Sequence, residues 1–416
     1  MTPEQILEQA DTCVKCGLCL PHCPTYRKGA QEAESPRGRI ALIQGLLSGV
    51  LRDTPRLAGH LDRCLECHAC ESVCPSEVPV TRIVDAVRAV QMAHRAAPRR
   101  WLRRRLLDLA AHPTPWMPLL RLYQNGRPRS WLRVSGLLRY LGVEDLDRLL
   151  PERTLSGGRA GCFPALGLPR GQVALFPGCV GRYLDAPALT AATTVLTHLG
   201  YAVTLPQQSS CCGALHRHDG FAEQGDAELA RAASLFGAAE YDRVLTLASA
   251  CLGELRRAPI LASRVEDATR FVADLPWPAD LILDDTPQRV WVHTPCTQRY
   301  LLDDAEAATA LLRRIPGVTP LMLPDNETCC GAAGTYMLRQ PIMSQALLAD
   351  KLRLIRSTAA TLIVTTNTGC ALRLAAGLRE QAPPIAVCHP LEILAARLSQ
   401  RLDLDSPAPK NGLPER

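Results

Sequence analysis

The stretches "SCCGALH", residues 210–216, and "TCCGAAG", residues 328–334, place two adjacent cysteines before a glycine twice in one chain, 118 residues apart. One such pair reads equally well as a vicinal disulfide or as two buried thiols. The repetition changes that reading, because outlying cysteines repeat with it. Cys179 and Cys251 flank the first pair, and Cys296 and Cys370 flank the second, at offsets of 117 to 119 residues. The surroundings repeat too. "QVALFPGC" and "RVWVHTPC" are each an apolar, β-branched run ending in a turn residue and a cysteine. In each half a helix, a glycine stop and a strand follow, and "DRVLTLASAC" and "ATLIVTTNTGC" then read as strands ending in cysteine. Strands alternating with helices predict a duplicated α/β fold with a parallel sheet in each half. All four cysteines of a half then fall at the C-terminal ends of strands or on the loops that follow, the edge where open α/β sheets build sites. Cys179, Cys211, Cys212 and Cys251 form one candidate ligand set; Cys296, Cys329, Cys330 and Cys370 form the other. Gly213 and Gly331 allow the backbone close to such a site, or a positive φ.

Upstream lies a second, shorter duplication. "CVKCGLCLPHCP" carries Cys13, Cys16, Cys19 and Cys23, and "CLECHACESVCP" carries Cys64, Cys67, Cys70 and Cys74, each equivalent 51 residues on. The spacing C-x2-C-x2-C-x3-C-P belongs to iron–sulfur ligation, in which the fourth cysteine of each motif ligates the other cluster. The expected sets are therefore Cys13, Cys16, Cys19 and Cys74 for a first [4Fe–4S] cluster, and Cys64, Cys67, Cys70 and Cys23 for a second. A pair of four-cysteine zinc sites would explain the ligand number but not the doubled pattern with its proline. The insert between the motifs reads as helical. In "SPRGRIALIQGLLSG", Ser35 is an N-cap, Pro36 the first helical residue, and Ile40, Ile43, Leu46, Leu47 and Val50 one face. "SEVPVTRIVDAVRAVQMAHR" reads as a further amphipathic helix that closes over the module.

Composition narrows the class. The chain has 416 residues, 18 cysteines and a net charge of +6. Its start, "MTPEQILEQADTC", reads as a helix capped by Thr2, with Pro3 at the first position and Gln5 closing a capping box, rather than as an export signal. Thiols gathered in short motifs without such a signal point to metal ligands in a cytoplasmic chain. No apolar run reaches the roughly 18 residues of a membrane span. No glycine-rich dinucleotide fingerprint follows a strand, and no nucleotide-binding loop is evident.

Residues 95–139 hold eleven arginines and one acid, Asp108. Trp101, Leu102, Leu106, Leu109 and Ala110 make an apolar stripe there. A basic inter-domain connector that packs against a partner is the preferred reading, and a helix lying on anionic lipid is the alternative. No nucleic-acid-binding motif accompanies the charge. The expected domains are a helical ferredoxin module (1–94), a basic helical linker (95–170), two α/β domains (171–286 and 287–400) and a disordered tail (401–416).

Taken together, "CVKCGLCLPHCPTY", "SPRGRIALI", "HLDRCLECHACESVCPSEV", the two Cys-Cys-Gly units and "VWVHTPCTQRY" resemble the glycolate oxidase (glycolate dehydrogenase) iron–sulfur subunit family. The likeness runs over residues 10 to 400. It implies an α plus α/β architecture: an N-terminal helical ferredoxin module, then duplicated Cys-Cys-Gly (CCG) domains with parallel sheets. It also implies an electron-transfer subunit of a flavin-dependent 2-hydroxy-acid dehydrogenase. An FAD-linked oxidase-type partner subunit would oxidise the substrate, and this chain would pass electrons towards respiratory quinone at the inner face of the cell membrane. Heterodisulfide reductase and the lactate and glycerol-3-phosphate dehydrogenase iron–sulfur subunits are the alternative relatives, with redox chemistry at the CCG sites themselves. The fullest CCG motif ends in C-x2-C, and here Glu254 and Arg373 stand in place of that fifth cysteine. Four thiolates per half suit either a further iron–sulfur cluster or zinc. Cys388 at a strand end reads as a buried thiol rather than an extra ligand, and Cys162 as incidental. His293 and His389 stand beside cysteines, where capping or core roles are the usual ones.

Overall fold

The computed structural model describes residues 1–398 apart from 126, 141–142, 153–156, 209, 238–239 and 380–383. The tail expected at 401–416 lies outside the described residues. The first module is helical among its described residues, as the insert between the cysteine motifs predicts. Its helices Pro3–Asp11, Pro36–Leu47, Pro55–Asp62 and Val80–His94 are each announced by a cap or a proline. Thr2 Oγ1 accepts from the Gln5 N–H and the Gln5 side chain accepts from the Thr2 N–H, completing the capping box. Ser35 Oγ accepts from the Gly38 N–H at 2.9 Å. Ile6, Ala10, Ile40, Ile43, Leu61, Ile83, Val84 and Val87 meet in a core with no solvent exposure. Each of the larger ones contributes roughly 2 kcal/mol on burial. Val50 departs from the expected face and is exposed, because the helix ends at Leu47 and Gly49 turns the chain through φ +76°.

The two halves beyond residue 160 repeat one topology. Strands β1 (Gly161–Phe163), β2 (Gly171–Phe176), β3 (Tyr201–Leu205), β4 (Arg243–Thr246) and β5 (Val265–Asp267) form a sheet in the order β1-β3-β2-β4-β5. Strands β6 (Gln288–Val292), β7 (Val318–Met322), β8 (Leu362–Val364) and β9 (Ala386–Cys388) form another in the order β7-β6-β8-β9. All neighbours are parallel except β1 and β3, so β1 adds an antiparallel edge to the first copy of a shared four-strand pattern. In both copies the strand order reverses beside the first strand. That reversal opens the crevice between β2 and β4, and between β6 and β8, where such sheets bind ligands.

The halves pack reciprocally. The helix Ala186–His198 lies against Pro390–Arg397, and its counterpart Ala307–Arg313 against Ala268–Asp274. Val173, Leu175, Val195 and Leu196 of one half share a single core with Val290, Val292, Leu311 and Leu394 of the other. Polar contacts cross the seam in the same reciprocal way. Ser249 Oγ lies 2.6 Å from Thr297 Oγ1, and its counterpart Thr368 Oγ1 donates to Asp185 Oδ2 at 2.9 Å.

The stretch between the module and the halves is helical over Ala97–Ala111, Met117–Asn125 and Arg127–Val134. It leans on the first half through Arg103–Asp219, His216–Asp108 and His112–Glu228. The apolar stripe read from the sequence faces away from the protein. Leu107 and Ala111 are buried, whereas Trp101, Leu102, Leu106 and Leu109 are more than half exposed. The inward face is filled by Leu107, against Met92 and Phe221, by Ala111 and by these ion pairs, which leaves Trp101 and the other three leucines outside.

Candidate metal centres

The two ferredoxin motifs fold alike. Lys15 and Gly17 in the first take positive φ, and so do their counterparts Glu66 and His68 in the second. Three of these carry a Cβ and are held in a conformation that costs about 1 kcal/mol per residue. Alternating right- and left-handed residues curl successive N–H groups into a concavity suited to an anion such as an iron–sulfur cluster. Each concavity opens on a cavity. One is lined by Cys13, Cys16, Cys19 and Cys74, with Ile40 and Val78. The other is lined by Cys64, Cys67, Cys70 and Cys23, with Arg39 and Thr81. Three cysteines of one motif thus meet the last cysteine of the other in both places, and Cys70 also borders the first cavity.

The Pro-Arg-Gly-Arg-Ile element, Pro36 to Ile40, acts between the two. Arg37 donates from Nη1 to Lys15 O at 3.1 Å and from Nε to Glu32, holding the first loop. Arg39 is buried; it donates to His60 O at 2.9 Å and Thr25 Oγ1 at 3.0 Å, with Cys23 Sγ 3.9 Å away. Arg88 does the same for the second loop, donating to Leu61 O and Cys64 O at 2.9 Å. Burial pushes the Cys64, Cys67 and Cys70 thiols up, the last two well above the ordinary range. Thiolates here need the positive charge of a metal.

In the first half, Cys179 follows β2, Cys211 and Cys212 follow β3, and Cys251 lies in the helix Ser249–Leu255. The expectation that Cys251 and Cys370 end strands is corrected. Both sit in the first turn of the following helix, because each chain turns into that helix as soon as its short strand stops, at Thr246 and Val364. All eighteen cysteines are free thiols, so neither adjacent pair is a vicinal disulfide. Cys211 is raised by its contact with Cys179, and Cys212 by its contact with Cys211. Cys251 is raised in turn by its contact with Cys212. The four thus form one chain of sulfurs.

Gly213 and Gly331 have φ of +92° and +77°. A Cβ on them would stand 2.2 Å from Gly225 O and 2.5 Å from Ser344 O, so each glycine seats the following helix against the paired cysteines. The positions of the absent fifth cysteine are filled by structural side chains. Arg217 Nε donates to Glu254 Oε1 at 2.7 Å, buried, and Arg373 Nη2 donates to Ser344 Oγ at 2.9 Å.

The second half places Cys296, Cys329, Cys330 and Cys370 around one cavity, together with His293, Thr294, Arg299, Tyr300 and Asn326. Cys330 Sγ and Cys370 Sγ are 3.0 Å apart. Contacts with Cys329 and Cys370 hold the Cys330 thiol well below its ordinary range. Two groups here have no counterpart in the first half. His293 ends the run that Phe176 ends there; it is buried, with Nδ1 2.9 Å from Thr365 Oγ1, and burial pushes it down to about 3. Lys351 has no exposure and reaches the Asp325 and Asn326 carbonyls at 3.4 Å; the helix Ala222–Gly237 carries alanines at the matching turn. The setting differs as well. Cys179 and Cys211 pack on Ala111 and Leu215, whereas Cys296 and Cys329 pack with Leu65, Cys67 and Ala69 of the second ferredoxin loop.

His389 caps the helix Pro390–Arg397 through Leu391 N–H, as lone histidines commonly do. Cys388 packs against the shared core, and Cys162 is exposed on β1; neither lines a described cavity. The sequence reading passed over "RYL", which recurs at Arg182–Leu184 and Arg299–Leu301, three residues after the first cysteine of each half. Arg182 holds the Cys-Cys-Gly loop by donating to Pro206 O and Gln208 O, and Tyr300 lines the second cavity. Its recurrence at the same distance was the available signal.

Residues 9–78 match the family model of a 4Fe-4S dicluster domain, and residues 173–256 and 290–375 each match that of a cysteine-rich domain. The chain is 30% identical over 396 residues to the probable glycolate oxidase iron-sulfur subunit of Bacillus subtilis (strain 168), covering 89% of each chain. It is 31% identical over 412 residues to the glycolate oxidase iron-sulfur subunit of Escherichia coli (strain K12), covering 93% of this chain and 94% of that one. Lactate utilization protein A of Geobacillus sp. (strain WCH70) is 25% identical over 244 residues, 54% of this chain and all of that protein.

Proposed function

The chain belongs to the family of glycolate oxidase iron–sulfur subunits, and we infer that it is the electron relay of a flavin-dependent 2-hydroxy-acid dehydrogenase. In this reading an FAD-containing partner subunit oxidises the hydroxy acid to the oxo acid, releasing two electrons and two protons. This chain carries the electrons away singly. Cys13, Cys16, Cys19 and Cys74 would hold one [4Fe–4S] cluster, and Cys64, Cys67, Cys70 and Cys23 the second. Each CCG site would hold a further cluster or zinc. These groups supply reversible one-electron steps when bound. The protein's own part is to fix their ligands and place Arg39 beside Cys23.

The observation that carries the reading is the crossed pairing of the two motifs around two adjoining cavities. The first is the surface end: Cys16 is exposed, and Val14 and Leu18 around it are more than half exposed. The second is interior, with Cys23 and Cys67 buried. The partner flavoprotein docks over the first loop. The exposed stripe of Trp101, Leu102, Leu106 and Leu109, flanked by Arg99, Arg100, Arg104 and Arg105, offers a second contact, to that partner or to an anionic membrane surface near quinone. No helix among the described residues is long and apolar enough to cross a membrane. In this reading the chain works in the cytoplasm, against the inner face of the membrane, and the hydroxy acid is oxidised on the partner subunit.

The test is the complex reconstituted with its flavoprotein subunits, with Cys67→Ala in this chain. Flavin reduction by the hydroxy acid should persist, while reduction of a soluble quinone analogue falls at least about 100-fold, as expected when a relay step is removed. Unchanged quinone reduction would remove the second cluster from the path.

A further inference from the structure

Among the described residues, two groups of three potential ligands bring their atoms within 4.8 Å of one another. One is Glu66, Asp85 and His218, where Arg88 already pairs with Glu66, so it is an ion-pair cluster. The other is His293, Cys330 and Cys370, all buried. Neither ferredoxin cavity converges so closely, and neither does the chain of four sulfurs in the first half. Close convergence is the geometry of a single ion. With bonds of about 2.3 Å to sulfur and about 2.0 Å to nitrogen, ligands on one tetrahedral metal stand under 4 Å apart. A four-iron cluster instead spreads its thiolates around its own bulk.

We propose that the second CCG site binds one tetrahedral, zinc-class ion through His293, Cys330 and Cys370, so that the two halves of the duplication hold different metal centres. This rests on the reading that the CCG sites bind metal at all. Cys296 and Cys329 line the same cavity and stand nearest for the fourth position. The ring of His293 is set for ligation. Its Nδ1 is engaged by Thr365 Oγ1, which leaves Nε2 as the free nitrogen, the arrangement by which a neighbouring hydrogen bond fixes the orientation of a metal-bound histidine. Asn326 fixes the adjoining turn: its Oδ1 accepts from Thr294 N–H at 3.1 Å and its Nδ2 donates to Val292 O at 3.2 Å. The charge of Lys351 offsets surplus thiolate. The first half has none of this, since Phe176 stands where His293 would be and packs against Phe236 with the rings tilted. A donor set of imidazole and thiolates suits zinc, or cobalt in its place.

The test uses the full chain purified anaerobically, with metal analysis and X-ray absorption at the zinc edge, on the natural protein, His293→Phe and His293→Cys. The expected result is one zinc per chain with one imidazole nitrogen in its shell. His293→Phe should lose that nitrogen and at least about 90% of the zinc, and His293→Cys should restore zinc with an all-sulfur shell. The electron paramagnetic resonance signals of the ferredoxin clusters, retained in both variants, report that the chain has folded. Zinc held by sulfur alone in the natural protein, or zinc and nitrogen unchanged in His293→Phe, would overturn the His293 assignment while leaving metal at the CCG sites. No metal beyond the iron of two cubane clusters would overturn the underlying reading and the assignment with it.

Discussion

The two halves repeat four cysteines, a glycine and an Arg-Tyr-Leu in the same places, yet they surround them differently. In the first, the sulfurs sit between Phe176 and a buried Arg217–Glu254 pair and lean on the connector. In the second, they sit beside His293 and Lys351 and pack against Cys67 and its neighbours. The difference teaches that duplication copies a scaffold, whereas function follows from what each copy touches. One copy adjoins the interior cluster site, and the other does not.

The sharpest way to break the comparison is at the glycines both halves share. Gly213→Ala and Gly331→Ala should each destabilise by about 4 kcal/mol, the sum of left-handed strain and a backbone clash. Gly213→Ala should be the worse, given its closer carbonyl. Denaturant midpoints read this directly, and an unshifted midpoint for either would remove the glycine from the scaffold's common requirements.

A smaller effect should tell the halves apart. Arg217→Met leaves the buried Glu254 with only the half-exposed Arg257, 3.5 Å away, and should cost about 3 kcal/mol, most of it regained in the double variant Arg217→Met/Glu254→Met. Arg373→Met loses hydrogen bonds to Ser344 and Gln345 and should cost about 1 kcal/mol. Equal costs would mean the two substitutes for the fifth cysteine do the same job.

The last expected effect, a gain in stability rather than a loss, tests the seam. Asp185 is matched by Leu302 in the second half, and burial raises its pKa to about 6 against one hydrogen bond from Thr368. The folded state therefore holds a proton between about pH 4 and pH 6 that the unfolded chain has released. Stability is greatest below the unfolded pKa and is lost as pH rises through about 6. Asp185→Asn keeps the acceptor and should stabilise the protein by about 2 kcal/mol at pH 8, with little effect near pH 4. A variant equally stable relative to the parent at both pH values would show that Asp185 is not held neutral.

Much of the site was legible because ligand spacing is a local property. A thiolate every third residue forces a tight loop, so the crossed ferredoxin sets could be written down before any coordinates. The sheets were legible for the same reason, since β-branched runs ending at turns repeat in register. Cys251 and Cys370 were misplaced onto strands because a run of four residues does not say where extended chain becomes helix. The stripe of Trp101, Leu102, Leu106 and Leu109 was legible as an apolar face, but which side of the helix packs on the first half was not, because periodicity gives a face and not its direction.

The sequence by itself determined which atoms are available as ligands, their grouping into two ferredoxin motifs and two CCG sets, and the duplicated α/β scaffold. All of these depend on spacing along the chain. Only the tertiary structure decided that the second CCG site adjoins the interior cluster cavity, and that His293 and Lys351 join it. It also made Arg37 and Arg39 the clamps between two loops. These depend on how helices and sheets distant in sequence pack, and that is set by burial of a core shared across the chain.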